Sequence, residues 1–259
     1  MNNPRNTGPE SRLCSYTADS IYMRDRNLVT DLLGKASFVD VFLTQTFQRS
    51  FSAGEQILVN SVLIILMEHG MTPSAIAARL VYASSPEALQ SGVAAGLLAV
   101  GSQFVGTTEQ AAELLSRIVD APDVSATAAR IVADMRAARA AVPGFGHHLH
   151  RPDDPRASAL LDLAERLRLA GSHCRALSVL AQAVDQAAGR HITINATGAV
   201  AAVLGDIGVP VRLMRGFAVL ARAAGLIAHI AEEQAEPTGR FIWDLVEKAT
   251  TPRDKGSAK

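Results

Sequence analysis

The sequence has few cysteines, no excess charge of either sign and no long apolar run. Cys14 and Cys174 are its only cysteines, too few for a disulfide framework, which suits a reducing compartment and sets the expected location as the cytoplasm. Formal net charge is +0 and the isoelectric point is near 7.1. Nothing in that balance favours nucleic acid or an anionic membrane surface, and neither is expected as a partner. The longest apolar stretch, Ile57 to Met67, is interrupted by Asn60 and Ser61 and is too short to cross a bilayer. Met1 to Glu10 is polar, carries Pro4 and Pro9, and has no apolar h-region, so it reads as a flexible leader rather than a signal peptide. With 48% hydrophobic and 19% charged residues over 259 positions, the chain can bury a large core, as one big domain or two intimately packed ones.

Strand signals are scarce and helix signals abundant. The one strand candidate, His191 to Asn195, serves equally as a hairpin arm or a connector. Ser52 and Glu55 form a capping-box pair ahead of an apolar helix running to His69, with Gly70 placed to end it. Ser85-Pro86-Glu87 predicts a second helix start, and Asp123 a third whose helix runs to Ala141 before Pro143. Asp154-Pro155-Arg156 predicts a fourth, ending near Gly171. Another helix begins soon after Pro210, with Phe217, Leu220, Ala221, Ala224, Ile227 and Ala228 as its apolar face. Small residues at Gly92, Ala94, Ala95, Gly96 and Ala99 permit close helix–helix approach, and the charged tail from Pro252 to Lys259 is expected to fray.

The segment richest in chemistry runs from Pro143 to Arg156, Pro-Gly-Phe-Gly-His-His-Leu-His-Arg-Pro-Asp-Asp-Pro-Arg. Two glycines beside a proline make a tight turn able to bring His147 close to a ligand. Arg151 and Arg156 add fixed positive charge where a helix N-terminus already favours anions. A carboxylated or phosphorylated substrate suits that combination; a loop with surface arginines is the plain alternative. A metal held by His147, His148 and His150 is the third reading. Their spacing matches no standard zinc pattern and no cysteine is near, so no metal is expected.

Pro-Gly-Phe-Gly-His followed by a basic residue and Asp-Pro-Arg resembles the catalytic-histidine signature of the citrate synthase superfamily, and of its short citryl-CoA lyase-like members in particular. Glu68-His69-Gly70 with Ser74, Gly101 to Glu109, Asn195-Ala196-Thr197-Gly198, and Phe217 to His229 with Arg222 inside resemble the family in the family's order, from about Asp25 to about Lys248. The resemblance implies an all-α fold with a large domain (1–106 and 206–259, residues 1–24 a flexible leader) and a small domain (107–205) bearing the His147 loop. It also implies a homodimer whose small domain closes over substrate, and a coenzyme A thioester as substrate or product with no tightly bound cofactor.

Residue by residue, the resemblance places His69 at the keto-acid or citrate moiety and His147 at the carbonyl or hydroxyl of the carbon–carbon bond. Arg156 and Arg222 become clamps for substrate carboxylates. Arg151 falls at a coenzyme A phosphate, with Gly144 and Gly146 of the same turn at the cofactor moiety, and Arg240 reaches the partner's site. A capping or core histidine is the plain reading of His69, and a solvated surface arginine that of Arg240.

Two departures bear on activity. Phe104 stands where synthases carry a histidine that stabilises the enol of acetyl-CoA, and phenylalanine has no hydrogen bond to donate. The citrate-synthase-like module of ATP-citrate lyase resembles this chain in having phenylalanine there. Thr197 stands where synthases and lyases carry the aspartate that moves a proton at the acetyl methyl carbon, and a hydroxyl is too weak a base for that task. Condensation is therefore disfavoured. The expected activity is retro-aldol cleavage of a 3-hydroxy-acyl-CoA of the citryl-CoA type, begun by His147 taking the hydroxyl proton, with Thr197 beside the enolate. Retro-Claisen cleavage or hydrolysis of a β-keto acyl-CoA is the alternative, and a catalytically degenerate CoA-ester-binding homologue another. Survival of His147, Arg156 and Arg222 together favours a working site.

Overall fold

The structure, a computed structural model, describes residues 11–101 and 106–250. The first ten residues of the expected leader, the charged tail and Phe104 lie outside those bounds. The chain divides into two compact units, Met1–Asn60 and Ser61–Lys259. Helices dominate both, in agreement with the all-α expectation.

The first unit opens with a small antiparallel sheet the sequence reading did not foresee. Its strands β1 (Cys14–Tyr16), β2 (Ile21–Met23) and β3 (Arg26–Asn27) lie in that order, with Cys14 opposite Met23 and Tyr22 opposite Asn27. Residues 14–23, read from sequence as part of a flexible leader, are thus fixed by ladder hydrogen bonds. Strands of two or three residues are too short to display an alternating pattern. Arg26 pairs with Asp40 at 2.8 Å, tying β3 to α1 (Phe38–Phe47), whose first turn is capped by Ser37. Helix α2 (Ala53–Met67) starts with the expected reciprocal box: Glu55 N–H donates to Ser52 Oγ (3.2 Å), and Ser52 N–H to Glu55 Oε2 (2.7 Å). It ends at Met67, before Gly70 takes φ +72°.

The second unit holds α3 (Pro73–Ser84), α4 (Leu89–Leu98), α5 (Thr107–Val119), α6 (Val124–Ala137), α7 (Pro155–Arg166), α8 (Ser172–Ala188), α9 (Ala196–Asp206), α10 (Val211–Ala235) and α11 (Gly239–Ala249). Ser85 does not start a helix as expected. Its N–H donates to the carbonyls of Val81 and Tyr82 and closes α3; α4 begins only at Leu89 after a turn, with Ala88 at its N-cap position. Helix α6 stops at Ala137 rather than Ala141, with Arg139 at φ +52°. Helix α7 stops at Arg166, where Arg168 turns to φ +58° and Leu169 N–H bonds back to Ala164; a separate helix, α8, begins beyond Gly171. His191 to Asn195 is a connector, touching Phe145 only through a single bridge at Ile194.

Helix α9 is the centre of this unit. Residues 198–204 are all buried, because α5, α7 and α8 pack around it. Helices α3, α4 and α10 form a second cluster. There Gly96 lets α4 approach so closely that a Cβ would stand 2.6 Å from the Leu226 side chain and 2.9 Å from the Ser74 carbonyl. Gly92 and Gly96 therefore serve the interior of the fold, whereas Ala94 is exposed. Helix α10 buries Met214, Phe217, Ala221, Arg222, Leu226, His229 and Glu233, whereas Ala224, Ile227 and Ala228 of the expected apolar face are exposed. The buried stripe accepts charged residues because they are paired or face a cavity, which hydropathy alone cannot register. By length and composition α10 is the one helix, among the described residues, that could cross a membrane; half of its apolar window is buried within the protein.

Candidate active site

The histidine loop is fastened to the start of α9. Gly144 (φ +90°) and Gly146 (φ +79°) make the turn that glycine alone enters without strain. Asn195 N–H donates to Gly144 O (3.0 Å), Gly146 N–H to Thr193 O (2.7 Å) and Asn195 Nδ2 to Gly146 O (3.0 Å). Gly144 and Gly198 meet backbone to backbone, so that a Cβ on Gly198 would stand 2.6 Å from Gly144 O. Asn195 also caps α9, its Oδ1 accepting from Thr197 N, Gly198 N and the Thr197 hydroxyl (2.7 Å). Asp154, fully buried, opens α7 and joins it to α9. Its carboxylate accepts from Arg156 N (3.1 Å), Arg156 Nε (3.0 Å), Arg156 Nη2 (2.7 Å) and Ala196 N (3.2 Å). Burial pushes its carboxyl up, but the hydrogen bonds and charge of Arg156 outweigh this and hold it below the ordinary carboxylate range.

His147 is fixed in one tautomer. Its Nδ1 accepts the N–H groups of Leu149 (3.1 Å) and His150 (2.9 Å), so the ring proton sits on Nε2. That nitrogen lies 3.4 Å from His69 Nε2 and 3.3 Å from Arg156 Nη2. Burial, then the neighbouring His150, lower its pKa; Asp154 opposes, and Arg156 and His148 add to the lowering, so the ring is neutral at neutral pH. With its proton on Nε2, His147 directs that N–H into the site toward His69 Nε2, while Arg156 Nη2, itself a donor, stands against the same nitrogen.

His69, His147 and His150 offer ring nitrogens all within 4.8 Å of one another, close enough for one ion. The chemistry of the donors opposes a metal. A ligating histidine ordinarily donates its second nitrogen's proton to an acceptor, whereas His147 Nδ1 receives two amides and leaves Nε2 protonated.

A cavity of about 900 Å³ opens beside these residues, lined by His69, His147, Arg156, Thr197 and Arg222 among others, with Gly144 and Gly146 in its wall. Arg156 enters it held by Asp154. Arg222, 7% exposed, turns into it with Nε and Nη1 lacking any hydrogen-bond partner among the described residues. Burial lowers its pKa, opposed by the charge of Glu68. No carboxylate stands among the described residues that line the cavity. Glu109 is engaged by Arg215 at 2.5 Å, and Asp206 caps α8 through Gly171 N, His173 N and Cys174 N, so neither takes the place of the missing acid. The Thr197 hydroxyl, which donates to Asn195, lies 3.2 Å from the Thr107 hydroxyl.

Two expected residues stand apart from the cavity. Arg151 is exposed on the loop and does not line it. Arg240 projects from α11 with its side chain 72% exposed, pairing with Asp244 and covering the Trp243 ring. Phe104 is outside the described residues. Sequence reasoning missed Asp154 as the anchor of Arg156, and also Thr107 and Gln110 in the cavity wall; His148, weighed there as a metal ligand, lines the wall too. For Asp154 the signal was present, as a helix-opening Asp-Pro-Arg; no local pattern marks Thr107 or Gln110.

Residues 13–243 match the family model described as citrate synthase, C-terminal domain. Citryl-CoA lyase from Hydrogenobacter thermophilus superposes with a TM-score of 0.79 at 31% identity, over 88% of this chain and 87% of that one. An ATP citrate lyase of Methanosaeta concilii, solved with (3S)-citryl-CoA, shares the fold at 20% identity with a TM-score of 0.75, over 91% of this chain and 40% of that one. ATP-citrate synthase beta chain protein 2 of Arabidopsis thaliana is 25% identical over 225 residues, 80% of this chain and 36% of that protein. The chain therefore spans only about a third of the length of such curated relatives.

Proposed function

The chain belongs to the citrate synthase family, and from that premise we propose that it cleaves a 3-hydroxy-acyl-CoA of the citryl-CoA type to acetyl-CoA and a keto acid. The observation that carries this reading is the pair of partnerless Arg222 nitrogens, turned into a cavity that also holds Arg156 and His147. Buried cationic donors of this kind select a carboxylate. Arg222 and Arg156 hold the carboxylates of the acyl group, and the His147 Nε2–H donates to the substrate hydroxyl oxygen. His69 Nε2 accepts the hydroxyl proton as the carbon–carbon bond breaks. The bonding electrons pass into the thioester enolate, whose carbon then takes a proton from water held by the Thr197 and Thr107 hydroxyls, and the His69 imidazolium returns its proton to the hydroxide so formed.

Around this centre, residues 107–205 act as the small domain that closes on substrate. Arg151 meets a coenzyme A phosphate with Gly144 and Gly146 beside it, and Phe104 packs at the acyl group. Two copies pair as a homodimer in the cytoplasm with Arg240 directed to the partner's site. The thioester is the only cofactor-like group required.

A second reading has its own support: with no carboxylate among the described residues of the cavity wall, the Thr107–Thr197 pair is suited to orienting water for hydrolysis of a β-keto acyl-CoA. Incubation with citryl-CoA and a panel of acyl-CoAs, read by mass spectrometry, separates the two. Acetyl-CoA plus keto acid from citryl-CoA is the expected result, from protein sedimenting at about twice its 27.4 kDa. Turnover confined to β-keto thioesters establishes the second reading, and CoA-ester binding without turnover of any substrate refutes both.

A further inference from the structure

From His147 to Asp153 the chain is neither helix nor strand, and His148, Leu149, Arg151 and Pro152 are exposed. The amides of Leu149 and His150 are spent on His147 Nδ1, inside the loop itself. Among the described residues, no backbone group from elsewhere bonds to a peptide group of residues 147–152. One side chain does. Thr193, 5% exposed on the connector ahead of α9, donates its hydroxyl to Pro152 O (2.5 Å) and reaches His150 O (3.5 Å). Its own carbonyl accepts the Gly146 N–H at 2.7 Å. Thr193 therefore grips the loop on both sides of His147, from beneath an otherwise exposed stretch of chain.

We propose that Thr193 is the positioning residue of His147: by holding Gly146 and Pro152 it keeps the Leu149 and His150 amides on Nδ1, and so makes the ring a donor at Nε2 rather than an acceptor. The alternative is close at hand. Arg156 Nη2 stands 3.3 Å from His147 Nε2, and arginine has only protons to offer. It favours the opposite tautomer, with the ring proton on Nδ1 and Nε2 accepting from the guanidinium. The two amides prevail only while both are aimed at Nδ1. A loop without regular structure gains conformational entropy on release, and its internal bonds alone do not keep it closed. The Thr193 hydroxyl opposes that release from a buried position, where water is a poor substitute for it.

The bearing of Thr193 on catalysis rests on His147 donating to the substrate oxygen as proposed above, so the ring is read separately from turnover. Thr193→Val keeps the branched shape and the carbonyl and removes the hydroxyl. Nitrogen-15 spectra of the full chain at pH 8 should show His147 as the Nε2–H tautomer in the parent and mainly as the Nδ1–H tautomer in the variant. With citryl-CoA, kcat should fall about tenfold or more while KM changes less than about threefold. Thr193→Ser restores the hydroxyl; it should return the Nε2–H form and bring kcat within about twofold of the parent. A residue that merely supports the fold would lower the melting temperature and leave the tautomer alone. A folded Thr193→Val variant with His147 still in the Nε2–H form, or a parent in the Nδ1–H form, overturns the proposal. If the valine variant does not fold, hydrogen exchange of the Leu149 and His150 amides in the parent decides. Protection of both on this exposed loop upholds the grip, and exchange at the rate of free peptide overturns it. A parent that turns over no citryl-CoA refutes the substrate reading, and Thr193 is then judged by the spectra.

Discussion

Asp154→Asn is the substitution on which the architecture of the site can be judged most directly. The fully buried carboxylate serves four donors, Oδ1 taking Arg156 N and Nε, and Oδ2 taking Arg156 Nη2 and Ala196 N. Asparagine keeps the shape and one oxygen. It turns an NH₂ group toward Nη2 and the Ala196 amide, so two donors lose their acceptor and the guanidinium loses its counter-charge. Breaking a buried pair in this way costs about 3–5 kcal/mol. The Arg156 side chain is 24% exposed and regains some water, which puts the loss at the lower end, about 3 kcal/mol. For a chain of this size the melting temperature should drop by roughly 6–12 °C at pH 7. The carboxyl's pKa is depressed in the fold. Its contribution is therefore fully present above the ordinary value near 4 and disappears as pH falls through the lowered one. Calorimetric melting should show a constant gap between parent and variant from pH 6 to 8, narrowing below about pH 4. A variant melting within about 2 °C of the parent at pH 7 would refute the assignment of Asp154 as the joint between α7 and α9.

Two further outcomes follow from the same geometry. A Cβ at Gly225 would lie well inside contact with the Met67 carbonyl, so Gly225→Ala should lose about 3 kcal/mol or more in denaturant unfolding. Gly216→Ala on the same helix, with nothing within 4 Å, should be neutral or gain up to about 1 kcal/mol. The pKa of His147 is lowered in the fold, so its imidazole should titrate below the ordinary value near 6.5 by NMR. Its neutral donor form then persists into mildly acid solution, while stability declines as pH falls through 6.5 because the unfolded ring binds the proton more readily. A midpoint at or above 6.5 would contradict the tautomer derived from its two amide donors.

What could be read in the sequence is what is decided within a few residues. The Ser52–Glu55 box, the Asp154 cap with Pro155 behind it, and the glycine turn around Phe145 all close on themselves, and each formed where its residues indicated. Ser85-Pro86-Glu87 carries the same local signature and failed: Ser85 is the C-cap of α3, and α4 starts three residues after Pro86, at Leu89. The face of α10 was misplaced for a related reason. Arg222, His229 and Glu233 lie on the buried side; Arg222 faces the cavity, and Arg79, far along the chain, donates to both His229 and Glu233. The site residues were legible as types and as a resemblance. The tautomer of His147, the tether of Arg156 and the isolation of Arg222 depend on distances that no spacing encodes.

The polar groups at the cavity also bear on the direction of reaction. Arg156, Arg222 and the His147 Nε2–H are donors suited to an oxygen that is negative or becoming so, and His69 Nε2 faces the His147 Nε2 at 3.4 Å. Thr197 spends its hydroxyl proton on Asn195 and meets the substrate with oxygen lone pairs backed by Thr107. An oxygen so placed can hold water, but it is too weak a base to remove the α-proton of a thioester, which condensation demands as its first step. Cleavage begins instead at a hydroxyl. That proton needs an acceptor of imidazole strength, and the developing keto acid keeps its carboxylates on the arginines throughout. Under the proposed cleavage these donors hold the acyl carboxylates and the developing carbonyl oxygen, and no carboxylate stands among the described residues of the wall to act as the base at the acetyl carbon.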